Sequence, residues 1–447
     1  MTALAKRLRP VAMLLAAALW TAPALRAQAT PLPAGAAGPL YNRLLNEISK
    51  IPIIDNHSHP GFPTDSDVDA MVLPPGGTTV LRLRDSNPEL VAADRALFGY
   101  PYSDFSPEHV RWLEQKKAEL RKTWGNQYFT HILDQVGIQY CLANRVAMPA
   151  YLDSKRFRWV FFADSFLFPF NNREPEARSP DNAVYIPLQE KVLERYLRQA
   201  GLATLPASLD GYEAFLRRIL EENRKQGALA VKFEVAYFRP LRFSDPPRSR
   251  ALAIYAKYHA GGAPSADDYQ VFQDYILRNI VREAASLHLA VHFHTAVGVG
   301  NYFNLAEDNV MNLENLLRDP RYGSVHFVLL HGGYPFEREA IWFAAMPNVY
   351  LDSSLMELYM YPWQFRTSLR EWLELYPERV MFGSDAFPFG EGLGVEEIYW
   401  LAVQSVRASL AADLADMIAE NEMNEAQALA LARDYLHDNA ARLYGLH

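Results

Sequence analysis

Cysteine is nearly absent: Cys141 is the only one in 447 residues. The chain can form no internal disulfide, so stability must come from the core or from bound metal. A basic surplus is missing too. Lys and Arg number 44 against 52 Asp and Glu. That balance excludes the basic footprint that nucleic-acid binding requires. Beyond residue 29 no apolar run is long enough to cross a bilayer. No Gly-rich turn follows the first strand-like run, although an open doubly wound nucleotide-binding sheet usually carries one. There is no internal repeat and no low-complexity tract.

The first segment stands apart. Lys6, Arg7 and Arg9 precede the apolar run "VAMLLAAALW", and "RAQA" supplies small residues before a cut. Residues 1–29 read as a secretory signal peptide, cleaved after Ala29, that directs the chain to the periplasm or the exterior. An uncleaved anchor is the rival, but the run is short for a span. The leader holds four of the basic residues and no acidic one, so the remaining chain is more acidic still. "TPLPAGAAGPL" (30–40) reads as a linker, and 41–447 as one domain with no stable membrane association.

Half of the residues are hydrophobic, ample for a large core. Eight short apolar runs punctuate the chain: 52–59, 138–143, 157–164, 228–235, 289–295, 325–331, 349–354 and 379–385. Between them lie amphipathic helix candidates, among them 108–122, 211–226, 267–287, 304–317 and 361–375. Strand-helix alternation with nearly all-apolar strands predicts a parallel sheet covered by helices, and eight such units predict a (β/α)8 barrel. Two stretches exceed a minimal barrel: 60–130 after the first strand and 165–210 after the third. Insertions after strands lie on the C-terminal face, so both are expected to roof a pocket there. The tail "NEAQALALARDYLHDNAARLYGL" reads as a helix pair packing on the outside.

Hard-to-bury groups cluster at the strand ends. "IPIIDNHSHP" (51–60) places His57 and His59 on one strand face, with Asp55 expected on the same face one layer deeper. Two neutral imidazoles so placed can chelate one cation. The fifth run ends "HFHT", with His292 and His294 on one face. The sixth ends at His331, before Gly332 and Gly333. The eighth ends at Asp385, and the fourth carries Lys232. A bound metal ion is the simplest reason for such convergence. Tyr237 and Arg239 lie just beyond the fourth strand, where Arg239 can grip a substrate carboxylate or form a plain ion pair. Asp352, Arg82 and Arg84 are weaker candidates, and Cys141 reads as a small buried hydrophobe.

H-x-H on strand one, Lys on four, His on five and six and Asp on eight resemble the amidohydrolase superfamily. "VHFHTAVG", "LLHGGYP", "FGSDAFP" and "NAARLYG" resemble its amidohydrolase 2 branch, over roughly residues 50–447. The resemblance implies a distorted (β/α)8 TIM barrel with one or two divalent metal ions, Zn foremost, with Mn, Fe or Ni as alternatives. It implies that His57, His59, His294 and Asp385 are ligands. His331 becomes a ligand or a polariser of the substrate carbonyl. Lys232 is either a carboxylated bridge between two metals or the partner of Glu234, and His292 orients a ligand or packs below it.

The implied activity is hydrolysis of a small amide, lactone or ester by metal-activated water, with Asp385 moving the proton. A metal-dependent decarboxylase, a sugar-acid isomerase and a noncatalytic metal-binding protein are the alternatives. The implied partner is a small-molecule substrate, and an oligomer is compatible with the sequence.

Overall fold

The computed structural model describes residues 38–71, 80–296, 298–390 and 392–446. The expected signal peptide, and most of the expected linker, lie outside these residues. A helix already starts at Pro39, inside the stretch read as linker.

Eight parallel strands run in sequence order: β1 (Ile53–Ser58), β2 (Ile138–Asn144), β3 (Phe157–Phe162), β4 (Ala230–Phe233), β5 (Ala290–His294), β6 (Phe327–Leu330), β7 (Val349–Asp352) and β8 (Val380–Met381). The sheet nearly closes on itself. Asn56 N donates to the Phe382 carbonyl at 3.0 Å and His59 N to the Ala386 carbonyl at 2.7 Å. The architecture is a (β/α)8 TIM barrel, as the rhythm of apolar runs requires.

The helical layer follows from amphipathic patterning. Leu209–Lys225 buries Leu209, Tyr212, Phe215, Leu216, Ile219 and Leu220, a stripe at helical spacing, and Ser208 caps its start. Val395–Ala419 is apolar nearly all round and almost wholly buried, because Pro362–Leu375, Pro39–Ile48 and the insertion helix Pro88–Phe98 pack around it. Among the described residues no helix is long and apolar enough to cross a membrane. No helix joins β2 to β3.

Three expectations are corrected. The helix read over 304–317 is broken into Leu305–Asp308, a 3-10 turn at Val310–Leu313 and Glu314–Leu317. The side chains of Asn304 and Asn309 accept from Ala306 N and Met311 N, restarting the backbone each time. The tail does not simply lie outside. Ala440 and Leu446 join Ile54, Leu142, Val160, Ala230, Ala290, Val328, Tyr350 and Met381 in the barrel's inner core. The last helix, Asn439–Tyr444, therefore closes the N-terminal mouth of the barrel.

The third correction concerns Asp55. The pairing of β1 with β2 shifts register between Asp55 and Ser58. An extra residue in the strand lets Asn56 and His57 both reach the interior. Asp55 instead stands opposite Cys141 on the helix-facing side, where it accepts from Ser384 N at 2.8 Å and Ser384 Oγ at 2.7 Å. Cys141 is buried there, against Ser58 and Tyr399.

Candidate metal centre

The C-terminal ends of β1, β4, β5 and β8 meet in one pocket. His57, His59, Asp69, Met71, Lys232, Glu234, Tyr237, His294, Val299, Asp385, Phe387 and Phe389 line it, with an empty volume of about 430 Å³ that includes its mouth. Asp385 Oδ1 lies 3.0 Å from His57 Nε2 and 3.5 Å from His59 Nε2, and the two imidazole nitrogens are 3.4 Å apart. One ligand atom each from His57, His331 and Asp385 falls within 4.8 Å of the others.

The hydrogen bonds assign protons. Ser354 Oγ donates to Asp352 Oδ1 at 2.6 Å, so that oxygen and the Ser354 carbonyl can only accept from His331 Nδ1, at 2.9 and 3.2 Å. His331 therefore carries its proton on Nδ1 and leaves Nε2 bare. His294 Nδ1 donates to that Nε2 at 2.9 Å, and the far nitrogen of His294, Nε2, is buried without any partner. A relay anchored on Asp352 thus ends in a lone pair facing the pocket. The relay needs Gly298 beside it: a Cβ there would lie 1.9 Å from the Tyr237 hydroxyl and 2.8 Å from His294 Nε2.

Electrostatics agree with ligand duty. Burial, then Lys232, holds His57 well below its usual range, and burial with His331 does the same to His294. Burial lowers His331 to about 4. These rings stay neutral and keep lone pairs. Burial opposes the ionisation of Asp385, yet His331, His57 and His59 outweigh it and hold that carboxyl well below the usual range. Burial also disfavours His59 as a cation, and Asp69 and Asp385 outweigh it, raising its pKa. Asp385 and His331 both have positive φ, 51° and 62°. Non-glycine residues rarely adopt that conformation, and it concentrates where function over-determines the backbone.

The other sequence candidates are distributed as follows. Lys232 Nζ reaches His57 Nε2 at 3.5 Å and Glu234 Oε1 at 3.9 Å, so its pairing with Glu234 is long. Tyr237 lines the pocket, its ring 4.3 Å from that of His294. Arg239 does not line it. Its guanidinium is buried against Asp274 at 2.7 Å, the Arg242 carbonyl at 2.8 Å and the Phe243 ring. This is the ion-pair reading of Arg239, not the carboxylate grip. Arg82 is likewise spent, on Glu89, Ser405 and the carbonyls of Glu357 and Met360. His292 sits one layer down, 2.8 Å from the Tyr444 hydroxyl. Asp352 is buried and holds the relay, receiving Asn56 Nδ2 at 2.6 Å and His331 N at 3.0 Å.

Asp69 escaped the sequence reading. Its Oδ2 lies 2.8 Å from His59 Nδ1. It sits in the irregular stretch "DSDVDA", where no periodicity separates it from Asp65 and Asp67. Of the two insertions, the first reaches the pocket through Asp69 and Met71. The second approaches only from behind Tyr237, through the Tyr185 ring.

The Amidohydrolase family model Amidohydro_2 matches residues 168–446, more than half of the chain. The chain belongs to this family. The match starts beyond β1, so the His57–His59 pair is placed by geometry rather than by the match. Protein fluG of Emericella nidulans is 32% identical over 209 residues, 44% of this chain and 22% of the fungal one. The chain thus spans about a fifth of that relative. A Lactobacillus casei structure with a provisional metal-dependent hydrolase description aligns over 90% of this chain and 97% of its own, at TM-score 0.59 and 16% identity. The uronate isomerase of Thermotoga maritima aligns over 91% and 97%, at TM-score 0.59 and 12% identity. At such identities these structures show a shared fold alone.

Proposed function

We propose that the chain is a metal-dependent hydrolase that opens a small amide, lactone or ester. The carrying observation is the position of Asp385, its Oδ1 3.0 Å from His57 Nε2 and 3.5 Å from His59 Nε2 in a pocket that His294 also lines. The donor set fits a divalent cation: His294 Nε2 is buried without a partner, and imidazole and carboxylate atoms of His57, His59 and Asp385 converge from separate strands. His57, His59, His294 and Asp385 would hold it, with His331, whose two ring nitrogens are engaged by Ser354 and His294, orienting the His294 ring. Imidazole-rich ligation suits Zn, as one or two ions. A cation there supplies Lewis acidity and lowers the pKa of water toward ~7.

The rest is work for the chain itself. Asp385 accepts the proton of the attacking water at a carboxylate oxygen and returns it to the leaving group. The Ser354–His331–His294 relay fixes ring orientation. Met71, Val299, Phe387 and Phe389 exclude bulk water and strengthen each charge interaction. Lys232 contributes the pocket's ammonium group, available to a substrate oxygen or, if carboxylated, to a metal. A leader over residues 1–29 would place the reaction outside the cytoplasm.

The test is a panel of small amides, lactones and esters assayed in isotopically labelled water. Label should enter the product, and Asp385→Asn should lower turnover by about 10²–10⁴-fold with metal retained. Carbon dioxide release, or conversion without label, would instead establish the decarboxylase or isomerase reading. Undiminished turnover in Asp385→Asn would end the assignment of the base.

A further inference from the structure

We infer that the substrate carries an uncharged aryl or branched alkyl arm, and that an apolar annex beside the metal pocket receives it. The annex has an empty volume of about 600 Å³, its mouth included. Phe62, Pro63, Val68, Met71, Phe387 and Pro388 line it. Asp69, Met71 and Phe387 also line the metal pocket, so the two spaces adjoin along this trio. The inference rests on the hydrolase reading for the reacting group and on the annex for the arm.

The annex has no charge to offer an arm. Among the described residues no Lys, Arg or His lines it. Its two carboxylates are already engaged. Asp65 accepts from Arg145 Nη2 at 2.5 Å and from the Tyr151 hydroxyl. Asp69 turns Oδ2 to His59 Nδ1 at 2.8 Å and accepts from Met71 N through Oδ1 at 3.0 Å. A carboxylate arm would meet two anions and no cation, and an ammonium arm would find both acceptors occupied. Apolar surface is what remains. Phe62 and Phe387 are half-buried, so their rings keep area for a ligand to cover.

The walls are held in place before any ligand arrives. The Phe62 ring lies 4.9 Å from those of Phe129 and Tyr151. The Phe387 ring lies 5.7 Å from that of His59 and 5.2 Å from that of Phe389. Three hydrogen bonds fasten the loop that carries Phe62, Val68 and Met71. Arg145 Nη1 donates to the Pro60 carbonyl at 2.5 Å, Val146 N to the Asp67 carbonyl at 3.0 Å and Gln189 Nε2 to the Ala70 carbonyl at 3.0 Å. A slot formed in advance needs little ordering when it fills, so the burial of an arm appears as affinity. An arm against Phe387 lies within one ring of His59, and so within one ring of the reacting centre.

The experiment compares arms. Metal-loaded protein is titrated calorimetrically with hydroxamates, whose chelating head seats at the centre. Substitution at carbon represents an acyl arm, and substitution at nitrogen a leaving-group arm. In one of the two series a phenethyl arm should bind about 10–100-fold more tightly than methyl, the gain expected from burying a ring. A carboxyethyl arm should bind no more tightly than methyl. Phe62→Ala should reduce the phenethyl preference by about 10-fold. Ser66→Trp, which brings an indole into the annex from an exposed position, should erase it. Thermal melting reports the fold of each variant, and Ser66→Trp decides should Phe62→Ala misfold. Equal affinity for methyl and phenethyl in both series overturns the inference, as does a preference that survives Ser66→Trp. Esters with the same arms are assayed in parallel. Turnover without arm preference removes the annex and leaves the hydrolase reading. Arm preference in binding, with no ester turned over, removes the hydrolase reading and leaves the annex.

Discussion

The hydroxyl of Tyr444, three residues from the chain end, donates to Asn56 Oδ1 in β1 at 2.6 Å. It also accepts from His292 Nε2 at 2.8 Å. Asn56 in turn donates to Asp352, which anchors the relay to His331 and His294. The plug in the barrel floor and the pocket at its top are therefore linked by one hydrogen-bonded chain. Tyr444→Phe leaves a buried amide oxygen and a buried imidazole without their partner. Stability should fall by about 1–3 kcal/mol. Urea denaturation measures it, and an unchanged midpoint would show that the floor contacts carry no energy.

Ser354 never touches the pocket, yet its Oγ and carbonyl hold the Nδ1 proton of His331. Ser354→Ala removes one acceptor and frees the imidazole to rotate. Metal affinity or turnover should drop by roughly 10–100-fold, the usual cost of losing an orienting partner. Metal titration separates the two effects, and Ser354→Thr, which keeps the hydroxyl, should restore the loss.

Removing metal should destabilise the fold as well as abolish activity. An ion present at 100 times its dissociation constant contributes about 2.7 kcal/mol to stability. Chelation should therefore lower the melting temperature, and re-addition should restore it in proportion to ion concentration. A melting temperature indifferent to chelator would contradict the centre.

A different pH dependence resides under the insertion helices. Asp94 is fully buried beside Glu397, and burial, then that neighbour, pushes its carboxyl up to about 10. Lys117 there pairs with Glu397 at 2.7 Å. The folded chain thus keeps a proton on Asp94 that the unfolded chain releases near the ordinary 3.8. Across that interval the native state binds more protons, so this group's contribution to stability declines as pH rises from about 4 to about 10. Asp94→Asn should remove the decline, and its advantage over wild type should grow with pH in urea midpoints. Parallel pH profiles would refute this.

Much of the fold was legible because a parallel barrel strand is buried on both faces. Seven of the eight apolar runs contain the strand observed, β2 runs one residue past its predicted end to Asn144, and the helix 267–287 differs from the observed Ala266–Ser286 by one residue at each end. Legibility failed where side chains compete locally with the backbone. The 304–317 stretch has helical periodicity, but Asn304 and Asn309 break it. The Asp55 error has the same character: one extra residue in β1 reverses the alternation on which the reading depended.

By itself the sequence determined which strand ends carry histidine, lysine and aspartate, because a barrel directs such groups to its C-terminal face. It also determined the helical layer, through apolar spacing. Only the tertiary structure decided which of those groups meet. It turned Arg239 onto Asp274 and away from the pocket. It brought Asp69 from an aperiodic loop to within 2.8 Å of His59. It assigned the protons of His331 and His294 through Ser354. The physical reason is common to all three. Periodicity encodes burial, which each element obeys alone. A hydrogen bond or ion pair needs distance and direction between residues far apart in the chain, and those exist only once the barrel has closed.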